Sequence, residues 1–308
     1  MELRGVFPPI PTPFDREERL DRAALQRNLR WLDGYALSGV VVLGSNGEAV
    51  HLTADEQARV IAWTREFLPD DRLLIAGASA FSTQATIDAT KRAAAHGADA
   101  ALVLPPYYYK RQLTSEALTT YFTTVADAAP IPLVLYNMPG NTGIDLDAET
   151  VLRTCVHDNV IGLKDSGGNT AKFSQIVGEA PADFRILAGS AGFLLPALAV
   201  GAVGGVLALA NIAPDLCLAI VALHASERAQ EAARLQARIA KLNRAVTRQF
   251  GVPGLKAAMD RIGLYGGPPR APLSALAADH ERVIADLLHA AGLLDDTEGS
   301  YEWKNARC

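Results

Sequence analysis

Residues 160–169 read VIGLKDSGGN, a short apolar run that ends on Lys164. A lysine at the end of a buried strand has two readings. Its stem can lie along apolar surface while the ammonium reaches water. Alternatively, its head can sit in a partly desolvated pocket, where a free amine can attack a carbonyl and form a Schiff base. Position alone leaves both open. The chain holds seven lysines: Lys91, Lys172, Lys241 and Lys256 fall in helical stretches, Lys110 in a loop and Lys304 in the tail. Only Lys164 follows an apolar strand. Val160 and Gly162 share its alternation and carry an apolar side chain or none, which points Lys164 inward.

Two further groups bear on that lysine. Tyr107, Tyr108 and Tyr109 follow the run AALVLPP, and Tyr136 lies in PLVLYNMP. Tyrosines at neighbouring strand ends can move protons beside an amine. GSNGE (44–48) follows GVVVL, with two glycines flanking Ser45 and Asn46. This is either an ordinary turn or a backbone nest whose N–H groups hold an anion. Combined with an imine-forming lysine, a nest predicts a carboxylate pocket and hence a 2-oxo acid. Gly201, Gly204 and Gly205 precede a strand instead of opening a helix, and read as a tight turn. The six histidines and three cysteines are scattered without metal-ligand spacing, which predicts no metal site and a reduced, cytoplasmic protein.

Something must hold these groups together. Eight apolar runs recur between residues 5 and 211, separated by stretches of helical period. Thr53 and Glu56 form a capping box ahead of one such stretch (53–68), and Gly97 closes another (83–97). Runs that are continuously apolar imply strands buried on both faces, as in a parallel sheet covered by helices. Eight units predict a (β/α)₈ TIM barrel, with chemistry gathered at the C-terminal strand ends. A doubly wound sheet would put a glycine-rich loop after its first strand, where this chain has PPIPTPF. Beyond residue 214 only helices are predicted, over 227–250, 252–263 and 273–294. The predicted organisation is a barrel over 1–225, a C-terminal helical appendage over 226–296 and an exposed tail over 297–308. The apolar stretch 194–213 is broken by Pro196 and glycines and reads as core, not a membrane span. A net charge of −5 without basic clusters argues against a nucleic-acid partner, and MELRGVFPPIPTPF lacks a signal-peptide pattern.

GSNGE, PPYYY, LYNMPGNTG and GLKDSGGN, in this order, resemble the pyruvate-dependent class I aldolase superfamily of N-acetylneuraminate lyase and dihydrodipicolinate synthase. The resemblance spans residues 4–294. It implies a barrel with a C-terminal helical domain, a homotetramer built as a dimer of dimers, and no cofactor beyond a covalent imine. It also implies that Lys164 forms the Schiff base, Tyr136 transfers protons and Ser45 links the tyrosines. Tyr108 would be a second relay, which in many members reaches into a neighbouring subunit. The backbone amides of Ser45 and Asn46 would hold the substrate C1 carboxylate, with Gly189 and Leu207 also lining the substrate. Dihydrodipicolinate synthases typically carry two threonines in place of Ser45 and Asn46 and an arginine in place of Asn141. The segments KDSGGN and LAGSAGFLLPALAVGAVGGVLALAN are more similar to the 4-hydroxy-2-oxoglutarate aldolases, which implies that Asn46 and Ser166 contact a distal carboxylate. Aldolases or dehydratases of 2-keto-3-deoxy-sugar acids, and a non-catalytic 2-oxo-acid sensor, are the other readings.

Overall fold

The computed structural model describes residues 2–294; the tail expected over 297–308 lies outside them. Eight parallel strands run Gly5–Phe7 (β1), Gly39–Val42 (β2), Leu73–Gly77 (β3), Ala100–Val103 (β4), Leu133–Asn137 (β5), Val160–Asp165 (β6), Arg185–Ala188 (β7) and Gly204–Val206 (β8). They pair in the order β1-β8-β7-β6-β5-β4-β3-β2. The ring closes just beyond β1, where Ile10 N donates to Val41 O at 2.8 Å and Val41 N donates to Pro8 O at 3.0 Å. The fold is a TIM barrel.

Two apolar layers explain why the runs are continuous. Phe7, Val41, Ile75, Leu102, Val134, Leu187 and Val206 fill the barrel interior, and Tyr136 sits among them. The outward residues, such as Val40, Leu74, Leu135 and Leu163, pack under the surrounding helices. The expected capping box forms: the Thr53 hydroxyl accepts from Glu56 N, and the Glu56 carboxylate accepts from Thr53 N, at the start of helix Ala54–Phe67. Such caps contribute about 1 kcal/mol. Gly97 takes φ +95° just past His96, the C-cap of helix Thr83–Ala95, as a helix-ending glycine should.

The stretch 194–213 folds as helix Leu194–Ala199, strand β8 and a 3₁₀ turn at Ala208–Asn211. No helix among the described residues is long and apolar enough to cross a membrane. Past the eighth barrel helix, Pro214–Ala225, come helices Ala229–Arg244, Gly251–Arg261 and Ala278–Ala290, with a π-turn at Ala245–Gln249. These helices form an appendage docked onto loops at the C-terminal end of the barrel. Gln236 accepts from Leu195 N and donates to Ala191 O, and Asn243 Nδ2 donates to Ser190 Oγ at 3.1 Å.

One strand detail departs from the simple alternation. The β5–β6 register shifts between Leu133 and Val134, which pair with Val160 and Gly162. This bulge turns Val160 into the outer layer and leaves Ile161 against the barrel interior. Val160 therefore does not share the Lys164 face. Gly162, which packs against the Leu3 side chain, does.

Candidate active site at the barrel mouth

Register places the central pair. Tyr136 on β5 lies directly opposite Lys164 on β6, and Lys164 in turn faces Leu187 on β7. Both polar side chains point into the barrel near its C-terminal end. Lys164 is 3% exposed, and its Nζ stands 3.9 Å from the centroid of the Tyr136 ring. Among the described residues no carboxylate pairs with it and no group hydrogen-bonds to it. The Tyr136 hydroxyl lies 3.2 Å from Ser45 Oγ, so the structure joins Lys164, Tyr136 and Ser45 in one constellation.

The contrast with the other buried lysines sharpens this. Lys172 is 7% exposed and pairs with Asp165 at 2.8 Å and with Asp145 at 2.7 Å. Lys256 is 1% exposed and pairs with Glu48 at 2.7 Å. Burial holds the Lys256 ammonium below the ordinary lysine range, and the Glu48 charge opposes that shift. Among the described residues three lysines are buried; two are committed to carboxylates, and Lys164 alone has a free head. In the sequence the same lysine stands out by elimination, where the burial of the other two does not show. A signal existed: Lys172 lies one turn before Ile176, and Lys256 between Leu255 and Met259, so each interrupts an apolar helical stripe.

The GSNGE loop turns tightly beside this centre. Gly47 N donates to Gly44 O at 3.0 Å and Glu48 N donates to Ser45 O at 3.2 Å. Thr12 fastens the loop through a 2.6 Å hydrogen bond from its hydroxyl to Gly47 O. The backbone N–H groups of Ser45 and Asn46 donate to no group among the described residues. These are the unsatisfied donors that an anion nest requires. Close approach sets the residue type nearby: a Cβ on Gly77 would stand 1.9 Å from Leu43 O, so β3 reaches this loop only through glycine.

A polar layer stands behind the pair, on the outer side of the same strands. Asn137 Nδ2 donates to Asp165 Oδ2 at 2.8 Å and to Asp145 Oδ1 at 2.6 Å, while its Oδ1 accepts from Leu146 N. Asp165 is fully buried, and its Oδ1 accepts from Gly167 N and Gly168 N. Asn137 and Lys172 are the side-chain partners of Asp165, and sequence spacing alone does not pair them with it. Ser166, one residue on, is half-buried, with its N–H donating to Asn137 O at 2.8 Å. Gly189 lies against it: a Cβ there would meet Ser166 Oγ at 2.1 Å.

The remaining expected residues are placed less uniformly. Leu207 is fully buried, with its N–H donating to Phe7 O. Asn141 is exposed on the one-turn helix Pro139–Thr142 that follows β5. Tyr108 is 75% exposed, stacks edge-on with Tyr109 at 5.0 Å, and makes no hydrogen bond to Tyr136, Ser45 or Lys164. Within one chain, the β4 tyrosines do not join the constellation.

Comparisons with known proteins bear on the family and the fold. Residues 2–291 match the model of the dihydrodipicolinate synthetase family. A probable mitochondrial 4-hydroxy-2-oxoglutarate aldolase of Emericella nidulans is 37% identical, over 92% of this chain and 93% of the relative. An L-threo-3-deoxy-hexylosonate aldolase of Hypocrea jecorina is 36% identical, over 95% of this chain and 97% of the relative. The solved 4-hydroxy-tetrahydrodipicolinate synthase of Methylacidiphilum fumariolicum superposes with a TM-score of 0.89 at 30% identity, over 94% of this chain and 96% of that one. With its barrel, appended helices and sequence all in accord, this chain belongs to the dihydrodipicolinate synthetase family and is a lyase of the class I aldolase type.

Proposed function

We propose that the protein cleaves 4-hydroxy-2-oxoglutarate to pyruvate and glyoxylate through an imine on Lys164. The observation that carries the proposal is the unpaired, buried Lys164 amine over Tyr136, whose hydroxyl meets Ser45. In this scheme the amine attacks the C2 ketone, and loss of water gives a protonated imine. Tyr136 takes the C4 hydroxyl proton and the C3–C4 electron pair moves into the imine. Glyoxylate departs, leaving an enamine. Protonation at C3 and hydrolysis then release pyruvate and regenerate Lys164. The free N–H groups of Ser45 and Asn46 receive the C1 carboxylate. Ser166, half-buried beside Gly189, is suited to the distal carboxylate, with Asn46, Asn141 and Leu207 completing the substrate surface. The scheme uses no metal and no organic cofactor.

The choice of substrate rests on Asn141, which offers no charge where a synthase typically carries arginine, and on the 37% identity to the 4-hydroxy-2-oxoglutarate aldolase relative. The 36% identity to a deoxy-hexylosonate aldolase keeps a sugar-derived 2-keto-3-deoxy acid as the second reading. Tyr108, bare in one chain, is assigned to a neighbouring subunit's mouth within a homotetramer. The test is turnover of three substrate sets at equal enzyme concentration: 4-hydroxy-2-oxoglutarate, 2-keto-3-deoxy-sugar acids, and pyruvate with aspartate semialdehyde. The expected result is a kcat/KM at least tenfold higher for 4-hydroxy-2-oxoglutarate. Preference for either other set overturns the assignment, and pyruvate binding without turnover of any would identify a sensor.

A further inference from the structure

Glu48, the last residue of GSNGE, adopts φ +53°, a left-handed backbone that glutamate rarely takes. Such conformations persist only where the surroundings over-determine them. Here they do. The Glu48 carboxylate is 1% exposed and is gripped from outside the barrel: Oε1 by Lys256 Nζ at 2.7 Å, Oε2 by Arg270 N at 2.9 Å. His51 Nδ1 also stands 3.4 Å from Oε2. Lys256 is itself fixed, donating to Pro268 O at 2.9 Å and lying 4.6 Å over the Phe14 ring. The Arg270 side chain continues the brace, with two hydrogen bonds of 2.8 Å to Glu56 and one to His51 O.

Stability is a weak reason for such a pair, because well-packed apolar residues of similar volume often hold a core equally well. What the ion pair adds is direction. It fixes Glu48, and through the hydrogen bond from Glu48 N to Ser45 O it fixes the turn that leaves the Ser45 and Asn46 amides free. We infer that Glu48 and Lys256 are positioning residues, by which the C-terminal helical appendage holds the carboxylate-receiving amides of Ser45 and Asn46 in place. The inference rests on the imine reading of Lys164 and on those amides receiving a carboxylate.

The test compares two ketones that form imines with lysine: pyruvate, which carries the carboxylate, and acetone, which does not. Cyanoborohydride trapping at Lys164 is followed by peptide mass mapping across a range of ketone concentrations. The variants are Glu48→Gln and the double variant Glu48→Gln/Lys256→Met, the second removing the buried ammonium that the first leaves without its partner. The expected result is a rise of at least tenfold in half-saturation by pyruvate in both variants, with acetone trapping changed less than twofold. A purely structural role would alter both ketones alike or neither. Pyruvate half-saturation within twofold of the parent in the folded double variant overturns the inference and leaves the imine reading standing. Absence of trapping at Lys164 in the parent chain overturns both.

Discussion

Two of the buried lysines, Lys172 and Lys164, invite opposite responses to the same substitution. Lys172→Met removes the ammonium held by fully buried Asp165 and by Asp145. Breaking a buried ion pair by deleting one partner costs about 3–5 kcal/mol. Asp165 keeps three neutral donors, the N–H groups of Gly167 and Gly168 and the Asn137 amide, and Asp145 is 55% exposed and can rehydrate. The expected loss is therefore at the lower end, about 3 kcal/mol. Lys164→Met removes a head that pairs with nothing among the described residues. Burying a polar group without a hydrogen bond costs about 1–3 kcal/mol in mutational data, so stability should hold or rise by about 1 kcal/mol. Urea unfolding midpoints measure both, alongside borohydride trapping with pyruvate. The reasoning predicts a less stable Lys172→Met chain that still forms the imine and a Lys164→Met chain of full stability that does not. A Lys164→Met chain destabilised by more than about 2 kcal/mol, or a Lys172→Met chain within 1 kcal/mol of the parent, would refute it.

Tyr136→Phe keeps the ring under Lys164 but removes the hydroxyl that meets Ser45. Positioned proton transfer contributes about 10²–10⁴-fold, so kcat should fall by that range while pyruvate still traps on Lys164; a kcat within threefold of the parent would count against the relay. Hydrogen bonds from Arg270 hold the Glu56 carboxyl at about 2, against an ordinary value of 4.5. Because the folded-state value is depressed, the stability from this pair is fully present above 4.5 and is lost as pH falls toward 2. The Tm gap between the parent and Glu56→Gln should accordingly be constant above pH 5 and close between pH 4.5 and 2. A gap that does not change with pH would show that the pair is not the source.

Much of this is legible in the sequence. Eight continuous apolar runs specify a buried parallel sheet, because strands covered on both faces have no polar side to alternate with. The capping box at Thr53 was equally plain, since it is a local signal between residues three apart. Lys164 was legible because a lysine at a strand end violates the pattern around it. The partners of Asp165 were not, because Lys172 and Asn137 reach it only when two strands and a helix pack. Glu48 and Lys256 lie still further apart in sequence, and their pairing depends on how the appended helices dock. The β5–β6 bulge, which turns Val160 outward, leaves no mark in composition or periodicity. Tyr108 shows a different limit: its motif was clear, yet within one chain its side chain stands in solvent.

The account rests on Lys164 as the imine-forming amine, and one measurement addresses it directly. Borohydride reduction in the presence of pyruvate, followed by digestion and mass mapping, reports which lysine has reacted. The account predicts a single stoichiometric reduced adduct on the peptide containing Lys164, abolished in Lys164→Met. An unmodified Lys164, or an adduct carried instead by Lys172 or Lys256, would contradict it.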